Sequence, residues 1–269
     1  MCSLRGSRPE TRKMDTTIES KPINFAEEKI NQLVVLKEEY ESCTKCSKLC
    51  ETRSKVVFGT GNPEAKIMVI AEGPGKTEDE LGIPLIGESG KLLDYFLSYE
   101  FAKRDERFKK VIKTFKILKN SFGKTMYTWP HQEEAKKLLC EYIFYTNVIL
   151  CWPGKGNRDP EHEEVENCKE RLLKTIYLVD PTLIISVGSW AAKTLAGTRS
   201  FTITKERGKI LDVSIPGILT DIHYPVFPIL HPAYLLRLGP SEEENSEWVQ
   251  TRKDIQRAIT VLEEVTRIQ

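Results

Sequence analysis

The 269-residue sequence predicts an α/β fold, a three-layer α/β/α sandwich around a central four-stranded parallel sheet. Three observations carry this. Four short apolar runs recur, Lys66–Ala71, Tyr142–Leu150, Thr182–Val187 and Val226–Leu230. None shows clean polar alternation, which is the pattern of strands buried on both faces. Helical segments lie between them, and strands alternating with helices build such a sandwich.

In chain order, residues 1–22 read as a disordered polar tail and residues 23–269 as one domain. Residues 24–42 place Ile30, Leu33, Val34 and Leu36 in helical register, so an amphipathic helix is expected there. Gly90–Leu97 starts a second helix. Glu161–Val179 forms a long one after Asp159-Pro160, a helix-start signal. Ser189–Leu195 is another, and Glu244–Ile268 closes the chain.

Residues 101–140 differ in character, being rich in lysine with aromatic residues interleaved. Two readings stand for this basic insertion. One is a solvated helix covering the sheet's edge. The other is a surface for nucleic acid, because Lys and Arg neutralise phosphates and aromatic rings stack on bases. A protein partner is a further expectation for the same segment.

The composition is 40% hydrophobic and 29% charged, with a net charge of +1. A whole-chain basic signature for nucleic acid is therefore absent, and any such contact must be local. No apolar run approaches the ~20 residues of a membrane helix. A monomer in a reducing compartment, cytoplasmic or nuclear, is expected; Arg5, Arg8 and Arg12 are compatible with a weak organelle-targeting tail. Seven cysteines without a secretory signal point to a metal site or a reactive thiol rather than a disulfide scaffold.

Cys43 and Cys46 form a C-x2-C pair, whose single turn carries two thiolates to one metal. Cys50, Cys140, Cys151 and Cys168 are the candidates to complete a site. Four thiolates suit zinc or an iron–sulfur cluster, and spacing alone does not choose between them.

From Val57 to Asp94 the chain reads VFGTGNPEAKIMVIAEGPGKTEDELGIPLIGESGKLLD. A strand runs into a Glu-Gly-Pro-Gly turn, then acidic residues, then Gly-rich loops before a helix. Such turns at a strand's carboxyl end are where α/β sheets place ligands, and their exposed N–H groups can bind an anion or polarise a carbonyl.

This stretch resembles the family-4 and related iron–sulfur uracil-DNA glycosylases. Their pattern is a C-x2-C pair, R-x3-V-x-G-x-G, then G-E-x-P-G-x2-E-D-x2-G-x-P-F-V-G-x-A-G-x-L-L. Cys43, Cys46, Arg53, Val57, Gly59, Gly61, Glu72, Pro74, Gly75, Glu78, Asp79, Gly82, Pro84, Gly87, Gly90, Leu92 and Leu93 match it. Asn147–Cys151, Gly156–Pro160, Cys168, the segment PTLIISVGSWAAKTL, Arg207-Gly208 and His231–Arg237 continue the likeness, which spans roughly residues 40 to 265.

The resemblance implies a [4Fe–4S] cluster held by Cys43, Cys46, Cys151 and Cys168, with Cys50 outside the ligand set. It implies hydrolysis of the bond joining uracil to deoxyribose in single- or double-stranded DNA, after the base is flipped out. His231 would donate to the charge that builds on the uracil. Asn147 would read the uracil edge. Glu72 or Glu78 would orient water or balance the sugar's positive charge. Gly73 would allow close backbone approach, and Leu235, Leu236 and Arg237 would enter the duplex. His131, His162 and His223 match nothing in the family.

Two departures bear on activity. The phenylalanine expected to stack on the base is Leu85, and base–aromatic stacking is worth ~1–3 kcal/mol. The leading glycine of G-E-x-P-G is Ala71. A DNA-repair glycosylase is the leading expectation. The alternative is a non-catalytic DNA-binding or scaffold protein on the same fold; a zinc-binding regulatory protein is a third reading.

Overall fold

The computed structural model describes residues 25–119, 125–217 and 220–268. The tail expected over residues 1–22 lies outside them. In chain order the elements are α1 (Phe25–Glu41), α2 (Ser47–Thr52), β1 (Gly59–Gly61), β2 (Ile67–Ala71), α3 (Lys76–Leu81), α4 (Glu88–Phe101), α5 (Glu106–Ile112), β3 (Lys116–Lys119) and β4 (Thr125–Thr128). There follow α6 (Gln132–Leu139), β5 (Ile143–Asn147), α7 (His162–Val179), β6 (Leu183–Val187), α8 (Gly188–Ala196), α9 (Ile203–Glu206), β7 (Leu211–Ile215), β8 (Ile222–Ile229), α10 (Pro232–Leu238) and α11 (Glu247–Ile268).

The main sheet has the order β1-β5-β2-β6-β8-β7. Its four inner strands, β5, β2, β6 and β8, are parallel. They are the four expected from the apolar runs. Two short strands the sequence did not announce, β1 and β7, cap the sheet antiparallel at its two edges. Every residue of β2, β5 and β6 is buried, so these strands have no solvent face and no alternation to display.

The layers follow from the pleat. Ile67, Val69, Ile143, Tyr145, Leu183, Ile185 and Phe227 point to one face and pack under α4, α6 and α11. Met68, Ile70, Phe144, Ile184 and Val226 point to the other and pack under α1, α7 and α8. Successive residues of a strand face opposite sides, so each strand feeds both cores. No helix among the described residues is long and apolar enough to cross a membrane.

The insertion is more than a surface helix. It comprises α5, the hairpin β3–β4 and α6. Aromatic residues fasten it to α4: Phe115 stacks on Tyr95 with ring centroids 3.5 Å apart and on Tyr127 at 5.2 Å. The indole N–H of Trp129 donates to Val111 O at 2.8 Å.

Candidate active site

The parallel strands run in spatial order β5-β2-β6-β8, so the chain steps to one side of β2 and then crosses to the other. Ligands bind outside the carboxyl ends of strands at such a reversal. A cleft of ≈ 590 Å³ lies there, lined by Glu72 and Gly73 after β2, Ile149 after β5, Asp159 before α7, and His231, Tyr234 and Arg237 after β8. The pairing of β2 with β5 continues into its floor, where Val148 N–H donates to Ala71 O (2.8 Å) and Ile149 N–H to Glu72 O (3.0 Å). At Gly73 a Cβ would lie 2.7 Å from Cγ1 of Ile149, so this close approach admits no larger residue without movement.

His231 is the N-cap of α10, and its Nδ1 accepts from Ala233 N–H at 3.2 Å. That hydrogen bond sets the tautomer: the proton sits on Nε2, which remains a donor. Burial, reinforced by the positive charge of Arg237, pushes the imidazole pKa down to about 4. The ring is therefore neutral at physiological pH. Gly188, at the start of α8, adopts φ +86°, and a Cβ there would lie 3.0 Å from the Cβ of His231. Glycine thus serves both the left-handed backbone and the seating of the histidine.

Two carboxylates near the cleft have different fates. Burial, together with the negative charge of Asp159, pushes Glu72 up to about 7. Glu78 is committed to backbone instead. Its Oε1 accepts from Ile86 N–H (3.1 Å) and Gly87 N–H (2.8 Å), and its Oε2 from Gly75 N–H (3.1 Å). It ties the turn after β2 to the loop before α4. Arg158 holds the opposite wall, bridging to Glu164 at 2.6 and 2.9 Å.

Asn147 ends β5 and is 1% exposed, yet neither its Nδ2 nor its Oδ1 has a hydrogen-bond partner. Its backbone is secured from behind by the fully buried Arg171, whose Nη2 donates to Asn147 O (2.8 Å) and Val148 O (2.7 Å). An unpartnered buried amide is costly, and such groups mark functional sites when no other account is at hand.

Leu85 lines the cleft with φ +54°, a left-handed conformation costly for a non-glycine residue. A group from the insertion braces it. Lys136 Nζ donates to Leu85 O at 3.3 Å, lies 3.3 Å from Asp94 Oδ1, and sits 3.4 Å from the ring centre of Tyr145. Burial raises the Asp94 carboxyl to about 6, against the opposing pull of Lys136. Spacing gave no hint of the Lys136–Asp94 pair, because 42 residues separate them.

In α10, Leu235 is only 1% exposed and belongs to the core. Leu236 is half-buried and packs against that core, while Tyr234, Arg237 and Leu238 are exposed. Leu238, 57% exposed, is an apolar tip that motif reading missed.

On the far side of β5, Cys43, Cys46, Cys151 and Cys168 line one small pocket between α1, α2 and α7. Cys50 is not among its lining residues, and Cys140 lies on the opposite face of the sheet, at the end of α6. All six described cysteines are free thiols. Donors point at the sulfurs: Arg53 Nη1 reaches Cys151 Sγ at 3.0 Å and Asn167 Nδ2 reaches Cys46 Sγ at 3.5 Å. Among the described residues, no three His, Cys, Asp or Glu side chains are grouped to hold a single metal ion. Four sulfurs share this hollow, with a guanidinium and an amide donating to two of them, a donor set that suits a thiolate-bound metal centre.

A doubly wound α/β protein with a ligand cleft at its switch point, a neutral histidine donor at one wall and an unpartnered amide at the end of a central strand is the class these features define. Within that class the chain belongs to the uracil DNA glycosylase superfamily, whose family model matches residues 58–255. It is 32% identical over 210 residues to a type-4 uracil-DNA glycosylase of Sulfurisphaera tokodaii, covering 77% of each chain. It is 30% identical over 209 residues to that of Archaeoglobus fulgidus, covering 77% of this chain and 84% of the relative. With that of Thermotoga maritima the identity is 28% over 208 residues, 77% and 85% of the two chains.

Proposed function

We propose that the protein is a uracil-DNA glycosylase, hydrolysing the N-glycosidic bond of uracil in DNA after the base is flipped into the cleft. The observation that carries this reading is His231: a neutral imidazole with Nδ1 occupied and Nε2–H free. As the bond from C1′ to N1 breaks, its electron pair passes to the uracil, and O2 gains negative charge. A fixed donor aimed there lowers the barrier, typically by ~10²–10³ in rate. A neutral ring supplies that hydrogen bond without having to hold a charge in a buried site.

Asn147 supplies the edge reading, since one amide both accepts from N3–H and donates to O4. Glu72, raised toward neutrality, takes the proton of the water that adds to C1′ and steadies the sugar's positive charge. Glu78 is a positioning residue, because both of its oxygens serve the loops. Leu235 is spent in the core, so the wedge that fills the vacated stack falls to Leu238 and Tyr234, with Arg237 beside them.

Cys43, Cys46, Cys151 and Cys168 would hold a [4Fe–4S] cluster. When bound, it supplies a structural cross-link rather than a reacting group.

The test is release of uracil from single-stranded and U:G duplex oligonucleotides by iron-loaded protein, beside His231→Ala. Excision that falls at least ~10²-fold in the variant supports the assignment. Absence of excision with DNA still bound would favour the second reading, a DNA-binding protein on this fold. Leu85 in place of a stacking ring is the observation that keeps that reading in view.

A further inference from the structure

Charge is unevenly distributed along this nearly neutral chain. Between Arg107 and Gln132 there are seven cations, Arg107, Lys109, Lys110, Lys113, Lys116, Lys119 and Lys124, and no Asp or Glu. Setting these seven aside, the whole-chain charge of +1 leaves −6 for the remainder. A molecule whose remainder is acidic repels a polyanion unless a local cationic surface receives it.

The structure describes the side chains of five of them, Arg107, Lys109, Lys110, Lys113 and Lys116. On α5 they are partly paired: Arg107 pairs with Asp105 and Glu141 and Lys109 with Glu106, while the exposed Lys110 makes no ion pair among the described residues. Toward the cleft they are free: Lys113 and Lys116 are exposed and make no ion pair among the described residues. Lys116 opens the hairpin β3–β4 opposite Thr128. One register step on, Tyr127 donates its hydroxyl to Glu88 O at 3.0 Å. Glu88 begins α4 and lines the cleft. The hairpin is therefore mounted at the cleft's rim, held by the stacked rings of Tyr95, Phe115 and Tyr127. Its next pair, Leu118 and Met126, is about half exposed on both strands (47% and 49%).

We infer that the hairpin β3–β4, together with Lys113 at the end of α5, is a basic surface that holds the phosphate backbone of the DNA flanking the nucleotide in the cleft. A two-stranded ribbon has the width to follow a groove of the duplex. Lys113 and Lys116 contact phosphates, and Leu118 with Met126 lies against the deoxyribose edge. The inference rests on the glycosylase reading only for where the DNA enters.

The experiment measures binding of iron-loaded protein to a uracil-free duplex across a salt series, with excision followed separately. Lys113→Gln/Lys116→Gln is compared with Lys66→Gln, an exposed lysine at the amino end of β2, away from the cleft. Each lost phosphate contact flattens the plot of log affinity against log salt by about 0.9. The double variant is expected to lower the slope by about 1.8, to bind roughly 60-fold more weakly near 0.1 M salt, and to keep its excision rate at saturating DNA. Leu118→Ser/Met126→Ser should weaken binding with the slope intact. Parental slope and affinity in both double variants would overturn the ribbon and assign the patch to another macromolecule. The outcomes separate from the enzymatic question, because a parent protein that binds DNA without excising uracil fails the glycosylase reading while the slopes still decide the ribbon.

Discussion

At the scale of single residues, the cleft is governed by what each polar group lacks. Glu72 is largely withdrawn from water and faces Asp159, so its carboxyl is raised to about 7. If it is the base, only the ionised form works, and the single-turnover rate should climb with pH through about 7, while His231, lowered to about 4, stays neutral across that range. Asp159→Asn removes the neighbouring charge and should move this limb to lower pH; Glu72→Gln should abolish it. A limb that is unmoved in Asp159→Asn would remove Glu72 from the role. Linkage gives an independent readout. A carboxyl with a raised folded pKa favours the folded state below its unfolded value near 4.5, and that advantage is lost as pH rises through about 7. Glu72→Gln should thus raise Tm at pH 8 relative to the parent and leave it little changed at pH 4. Asn147 invites a paired test of the same kind. Its amide has no partner, so Asn147→Ala should hold or raise thermal stability while lowering excision by ~10²-fold or more. A loss of stability equal to the loss of activity would make the asparagine structural.

At the scale of elements, legibility in the sequence tracked burial. The four inner strands were readable because each is a short, continuous apolar run bounded by turns. β1, three residues with two glycines, and β7, half exposed at the sheet edge, carried no such signal. The apolar run Tyr142–Leu150 predicts one strand; β5 itself ends at Asn147, two further backbone bonds from Val148 and Ile149 extend its pairing with the segment after β2, and Ile149 and Leu150 stay apolar because they line the cleft and the cysteine pocket. The insertion is legible by its charge and not by its periodicity, since Phe108 on α5, Tyr127 on β4, and Phe115 and Trp129 in the loops flanking the hairpin all serve packing against α4. The site was legible wherever a motif was local, as at Glu72–Gly75 and His231–Arg237. Asp159, Arg171 and Lys136 escaped, because each acts on a partner from a distant part of the chain.

At the scale of the whole molecule, the cysteine pocket and the cleft lie on a single line of contacts. Arg53 reaches Cys151 Sγ and donates to Cys43 O at 2.5 Å. The next two residues, Ser54 and Lys55, donate their N–H groups to the buried Asp79, the neighbour of Glu78. A cluster held by four cysteines would therefore fix α1, α2 and α7 together and steady the loop that Glu78 organises. Cys151→Ser should lose iron. A loss of about 2–3 kcal/mol of stabilisation would lower Tm by roughly 5–10 °C in a chain of this length. Full iron content in the purified variant would take Cys151 out of the ligand set.

The ammonium of Lys136 has a consequence for how this protein can be shortened. The segment that delivers it looks, in outline, like a detachable appendage inserted between β2–α4 and β5 of the sandwich. Excising it would draw a cation from beneath the left-handed backbone of Leu85 and leave the Asp94 carboxyl without its counter-ion in the core. The appendage has become masonry: a minimal version of this protein would need a new support for its pocket wall before it could dispense with the old one.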